Sequence, residues 1–139
     1  MSITVAEIMN REPQTIQADR PVAEAAERMR STDVGALVVL DGDRLVGILT
    51  DRDIVVRVLA DNKDGSTPVR EACSGELTVI YPDTQIDTAA ALMRERLLRR
   101  LPVVEGGDRL VGVVSIGDLA IDRDERSALA DISAAPPNR

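Results

Sequence analysis

Two short phrases carry the residue types that could hold a charged or hydroxylated ligand. One runs Gly47-Ile48-Leu49-Thr50-Asp51-Arg52-Asp53 and the other, 65 residues later, Gly112-Val113-Val114-Ser115-Ile116-Gly117-Asp118. In each, a hydroxyl is followed three positions on by an aspartate. That spacing suits a capping box at the start of a helix. It also suits ligand binding, because free N–H groups at such a turn attract anions, and a hydroxyl with a carboxylate could hold a phosphate and a ribose. A cap needs no ligand, and a duplicated cap would look the same, so the spacing alone leaves both uses open.

Catalytic chemistry finds little to work with. The chain has no histidine, which removes the commonest general base and metal ligand. Cys73 is the single cysteine, so neither a zinc site nor a thiol–imidazole pair can be assembled. No GxxxxGK[ST] phosphate loop occurs. An enzyme such as a nucleotide hydrolase is therefore disfavoured, and no catalytic or metal-ligating residue is singled out. Cys73 fits a buried, inert thiol better than a redox sensor, which could pair only between chains.

The elements that must position the two phrases are themselves repeated. Asp43-Arg44-Leu45-Val46-Gly47 recurs as Asp108-Arg109-Leu110-Val111-Gly112, and each aliphatic run reads as a buried strand that stops at the hydroxyl. Before it comes a hairpin partner, Ala36–Leu40 or Arg100–Val104. The turn between them is Asp41-Gly42-Asp43 in the first copy and is one residue longer, Glu105-Gly106-Gly107-Asp108, in the second. Upstream, a helix from Pro21 to Arg30 presents Val22, Ala25, Ala26 and Met29 on one face. Its counterpart from Gln85 to about Arg96 presents Ile86, Ala89, Ala90, Met93 and Leu97. The methionines read as core filler, and Asp19 and Asp83 as caps of these helices. Short extended pieces, Thr15–Gln17 and Val79–Tyr81, precede the helices. Helical turns at Val5–Met9 and Val69–Cys73 open the copies.

The boundaries that follow are a first repeat over 1–62, a linker at 63–67, a second repeat over 68–122, and a helical extension with a frayed tail over 123–139. Asn62, Asp64 and Gly65 loosely suggest a calcium loop, but its first ligand position falls on Ala60, so the stretch reads as a linker. With 139 residues and 44% apolar composition, the chain can bury a proper core, built without Phe or Trp. A net charge of −7 argues against nucleic acid and anionic membrane partners. The lack of a long apolar run or signal sequence and the lone cysteine point to the cytoplasm.

These repeated residues resemble the tandem CBS-domain pair, or Bateman module, over about residues 1–122. The markers are Val5-Ala6-Glu7-Ile8-Met9, Leu101-Pro102-Val103-Val104 and, above all, the two phrases ending in Asp53 and Asp118. The resemblance implies a stand-alone CBS-pair protein of α/β (α+β) class. Two β-α-β-β-α units would pack through their sheets about a pseudo-two-fold axis, with clefts between them for adenosine-containing ligands. It implies that Asp53 and Asp118 hold ribose, that Thr50 and Ser115 meet phosphate, and that Thr15, Ile16, Val79 and Ile80 line the base pocket. Ala36, Arg99, Arg100 and Pro102 belong to the strand beside the site. There the arginines resemble phosphate contacts of the family, although Arg94, Arg96, Arg99 and Arg100 fit a solvated basic stretch equally well. Arg52 would serve the first cleft, where the second has Gly117. Val38 departs from the proline frequent in the family.

The expected function is a regulatory module sensing AMP, ADP, ATP or a related adenosyl ligand, with no catalytic cofactor. It would be homodimeric and act on an effector protein that the sequence does not name. The alternative is a ligand-free dimeric interaction scaffold with degenerate sites.

Overall fold

The structure is a computed structural model, and it describes residues 3–75 and 77–120. The extension and tail expected over 123–139 lie outside the described residues. The chain divides into two compact units, one continuous over 13–77 and the other split between 1–12 and 78–139.

In the continuous unit, strand β1 (Thr15–Gln17) leads into helix α1 (Val22–Thr32). The hairpin of β2 (Ala36–Asp41) and β3 (Arg44–Thr50) follows. β1 runs parallel to β2, with Thr15 beside Val38, and β2 runs antiparallel to β3, with Ala36 opposite Thr50. Gly42 turns the hairpin at φ +67°, a left-handed conformation that costs glycine nothing. A single α-turn, α2 (Asp51–Asp53), then widens into a π-helix over Ile54–Leu59. Helix α3 (Val69–Ala72) closes the unit. The core behind the sheet is aliphatic: Ile16, Val22, Leu37, Leu49, Val58 and Val69 are each at most 2% exposed.

The split unit repeats the plan. A 3₁₀ turn (Val5–Glu7) opens it, and helix α4 (Ile86–Arg96) precedes the antiparallel pair β4 (Arg100–Glu105) and β5 (Arg109–Ser115). Residues 116–120 are helical. Where the first copy has a three-residue β1, the second has a single parallel bridge from Ile80 to Val103. The hairpin turn is longer by one residue, as its sequence indicates, with Gly106, Gly107 and Asp108 all at positive φ.

The compact units are offset from the sequence period, because the opening segment of each copy docks on the other copy. Val5 and Ala6 donate to the carbonyls of Thr84 and Pro82 at 2.8 and 3.1 Å, and Val5 is fully buried in the split unit's core. In the same way Val69 and Arg70 donate to Arg20 and Ala18 at 2.8 and 3.0 Å. This exchange explains the glycine of the DRLVG phrase. Ile48 and Ser74 trade backbone hydrogen bonds across β3, and a Cβ on Gly47 would stand 2.4 Å from the Ser74 carbonyl oxygen. Val113 and Asn10 trade them across β5, and a Cβ on Gly112 would stand 2.9 Å from the Asn10 carbonyl oxygen.

Three local expectations are corrected. Asp19 and Asp83 cap neither long helix: the N-cap positions are Pro21 and Gln85, and neither makes a side-chain cap hydrogen bond. Ala26 lies outside the buried face of α1. Leu97 lies outside that of α4 because the helix ends one residue before it. Leu97 turns left-handed at φ +56° and is 90% exposed.

Candidate functional site

The strand ends fix the two hydroxyls. Thr50 is the last residue of β3 and the N-cap of α2, and here the box forms in full. The Asp53 amide donates to Thr50 Oγ1 at 3.1 Å, while Asp53 Oδ2 accepts from the Thr50 amide at 2.9 Å. Ser115 at the end of β5 repeats it: the Asp118 amide donates to Ser115 Oγ at 3.1 Å, and Asp118 Oδ2 accepts from the Ser115 amide at 2.8 Å. Capping is thus the settled use of both pairs, and each aspartate is left with its Oδ1 outside the box.

The backbone around each box is the same. The residue after the hydroxyl donates to the residue that precedes the neighbouring strand: Asp51 to the Gly35 carbonyl at 3.0 Å, Ile116 to the Arg99 carbonyl at 2.9 Å. The register then sets Ala36 opposite Thr50 and Arg100 opposite Ser115. Side chains make the difference. Around Thr50 stand Asp51, the exposed Arg52 and Gly35, whose missing Cβ admits the Asp51 carboxylate. Around Ser115 stand Ile116, Gly117 and the arginines Arg99 and Arg100.

Of the expected site residues, Thr50, Ala36, Arg52 and Asp53 gather at one end of the continuous unit's sheet. Ser115, Arg99, Arg100 and Asp118 gather at the equivalent end of the split unit. Thr15 is half-buried, and its carbonyl accepts a hydrogen bond from Arg28 Nη1. Val79 is half-buried beside Ile80. Ile16 and Ile80 are core residues of the two units. They are 2% and 3% exposed, with side chains in the two hydrophobic cores, and both backbone groups of Ile80 bond to β4. Pro102 is buried in β4. Arg96 reaches Thr78 Oγ1 at 3.4 Å.

Two features escaped the sequence reading. Arg57 Nε lies 3.8 Å from Asp53 Oδ1, a charge contact beyond hydrogen-bond length. Its i,i+4 spacing was visible in the sequence. A groove of about 290 Å³ in the split unit is lined by Ala90, Met93, Arg94, Ile116, Leu119 and Ala120, and none of the expected binding residues lines it. Cys73 is 8% exposed, and burial pushes its thiol pKa up, which fits the inert reading. No group of three or more His, Cys, Asp and Glu that could hold a metal occurs among the described residues. In the linker, Asp64 Oδ1 accepts from the amide and hydroxyl of Ser66, an ordinary turn.

The duplicated unit, with its capped hydroxyl–aspartate turn, is that of the CBS domain, whose family pattern matches residues 5–60 and again 69–121. The chain belongs to the CBS domain family and carries two copies. It is similar to the CBS domain-containing protein YhcV of Bacillus subtilis, at 39% identity over 94% of this chain and 95% of that one. Among solved structures it resembles Hypoxic Response Protein I with two coordinated zinc ions. The identity there is 35%, covering 86% of this chain and 98% of that one, with a TM-score of 0.78. It also resembles a CBS domain pair in complex with 5′-methylthioadenosine and S-adenosyl-L-methionine, at 26% identity over 91% of this chain and 99% of that one, with a TM-score of 0.78.

Proposed function

We propose that this chain is a regulatory module that binds an adenosyl ligand, of the class AMP, ADP, ATP or S-adenosylmethionine, and passes its presence to an effector protein. The observation that carries this is the pairing of two intact hydroxyl–aspartate turns with a structural relative that holds methylthioadenosine and S-adenosylmethionine. The uncapped Oδ1 atoms of Asp53 and Asp118 are acceptors suited to ribose hydroxyls. Thr50 and Ser115 with their neighbouring arginines are donors suited to phosphate or carboxylate. Ligand binding would favour one conformational population over another, and the effector would read that population. The module is non-enzymatic and cytoplasmic and works as a homodimer in this reading.

A thermal-shift panel of AMP, ADP, ATP, NADH, S-adenosylmethionine and cyclic dinucleotides tests it. A ligand at a hundred times its Kd stabilises the native state by about 2.7 kcal/mol. One panel member should therefore raise Tm by several degrees, and a flat response to all of them removes the proposal. The second reading, a ligand-free dimeric scaffold, is favoured by one observation: both hydroxyls and both Oδ2 atoms already accept capping hydrogen bonds inside the fold. A flat panel together with a stable dimer supports it.

A further inference from the structure

Strand β1 is three residues long and lies at a sheet edge, yet it carries Thr15, expected to line the base pocket. Backbone groups point alternately to the two sides of a strand. The Gln14 carbonyl accepts from the Val38 amide at 2.9 Å and the Ala18 amide donates to the Leu40 carbonyl at 2.8 Å, so Gln14, Ile16 and Ala18 face β2. The Thr15 carbonyl therefore points to the open side, where an edge strand has no ladder to hold it. Arg28, on α1, donates to that carbonyl through Nη1. Its guanidinium is held in turn: Nη2 lies 3.4 Å from Glu24 Oε2, and Arg20 Nε donates to Glu24 Oε1 at 3.0 Å. The far end of β1 is tied as well. Gln17 Nε2 donates to the Gly42 carbonyl at 3.0 Å, and Gln17 Oε1 accepts from the Gly42 amide at 2.9 Å. In the second copy the 64-residue offset puts Leu92 and Tyr81 at the positions of Arg28 and Gln17, and there the strand is reduced to the Ile80 bridge.

We propose that Arg28 is a positioning residue for the ligand's base in the first copy: it fixes the Thr15 end of β1 before binding, so that the ligand need not order it. This inference rests on the adenosyl reading above and adds the residue that prepares the base contact. A charged donor makes a stronger hydrogen bond to a carbonyl than a neutral one does. The planar fork of an arginine also lets one side chain serve Glu24 and Thr15 together. Backbone that is already fixed spares the ligand an ordering cost, which for one residue corresponds to about a fivefold or larger change in affinity.

The test pairs hydrogen exchange with calorimetric titration by ATP and by S-adenosylmethionine. It compares the full chain with Arg28→Leu, which installs the second copy's residue, and with Arg28→Lys, which keeps a charged donor. The titrations are run with Asp118→Asn also present, so that the first site reports alone, and circular dichroism verifies folding. In Arg28→Leu, exchange of the Val38 and Ala18 amides should quicken about tenfold, the scale of one lost hydrogen bond to a charged group. The Val113 amide, bonded to Asn10 in the other unit, should exchange as before. Affinity of the folded Arg28→Leu chain should fall about fivefold or more, and Arg28→Lys should lie between the two. A merely structural arginine would lower Tm and leave the affinity of the folded chain unchanged, and that result overturns the inference. So do unchanged exchange in Arg28→Leu, a lysine variant that binds no better than the leucine one, and binding that vanishes with Asp118→Asn alone. Each of these leaves the adenosyl reading standing. Absence of binding to the unaltered chain overturns both.

Discussion

At the residue scale, two glycines and one cysteine make the account checkable. Gly47 and Gly112 sit where the exchanged backbone of Ser74 and Asn10 crosses the strand, leaving no room for a methyl group. Gly47→Ala and Gly112→Ala should each cost about 1–3 kcal/mol in urea denaturation, the usual cost of overpacking. An unchanged midpoint would mean that the exchanged segments do not lie across these strands. Cys73 makes the opposite kind of prediction. Its thiol pKa is raised by burial, so the thiolate fraction near pH 8 falls below that of an ordinary cysteine. A thiol reagent should label the native protein far more slowly than the urea-unfolded chain, and equal rates would contradict the burial.

Element by element, the sequence carried the fold well where pattern and local chemistry agreed. The strands β2, β3, β4 and β5 and the turn lengths between them were readable from continuous aliphatic runs, their repetition and glycine placement. So were the boxes Thr50/Asp53 and Ser115/Asp118, because a capping box is a local contact with a fixed spacing. What escaped depended on chain distant in sequence or on continuous backbone geometry. Nothing local says that Val5 and Val69 dock on the opposite copies, since both halves of that exchange look alike in a repeated sequence. Asp19 and Asp83 had the right residue type for a cap, yet Pro21 and Gln85 open the helices. Leu97 continued the apolar spacing of α4, but the chain turns left-handed there, as it does at Asp33 in the matching place. Aspartate tolerates that conformation better than leucine does. Leu97→Gly should therefore stabilise the protein by about 1 kcal/mol, read as a raised Tm, and a lower Tm would show that the exposed leucine is held by contacts of its own.

For the whole molecule, duplication is the organising fact. One unit plan is used twice, with the same backbone hydrogen bonds placing a hydroxyl and an aspartate at the end of each hairpin. Charges, unlike the fold, were not duplicated: Arg57, Arg99 and Arg100 have no basic counterparts at the equivalent positions. The sequence showed those differences but not which oxygen each charge meets, because the Arg57 contact depends on the helix after Asp53, whose turns widen to π geometry. Ligand identity was least legible, because carboxylates and hydroxyls accept and donate to many partners.

The most direct measurement is equilibrium binding of the ligand identified by the thermal-shift panel to the unaltered chain and to the Asp53→Asn/Asp118→Asn double variant, with both confirmed folded. The account predicts saturable binding to the unaltered chain and at least a tenfold loss in the double variant, since both carboxylate acceptors are gone while both caps remain. Equal affinity in the two proteins would contradict it, because the ligand would then be held by something other than the two hydroxyl–aspartate turns.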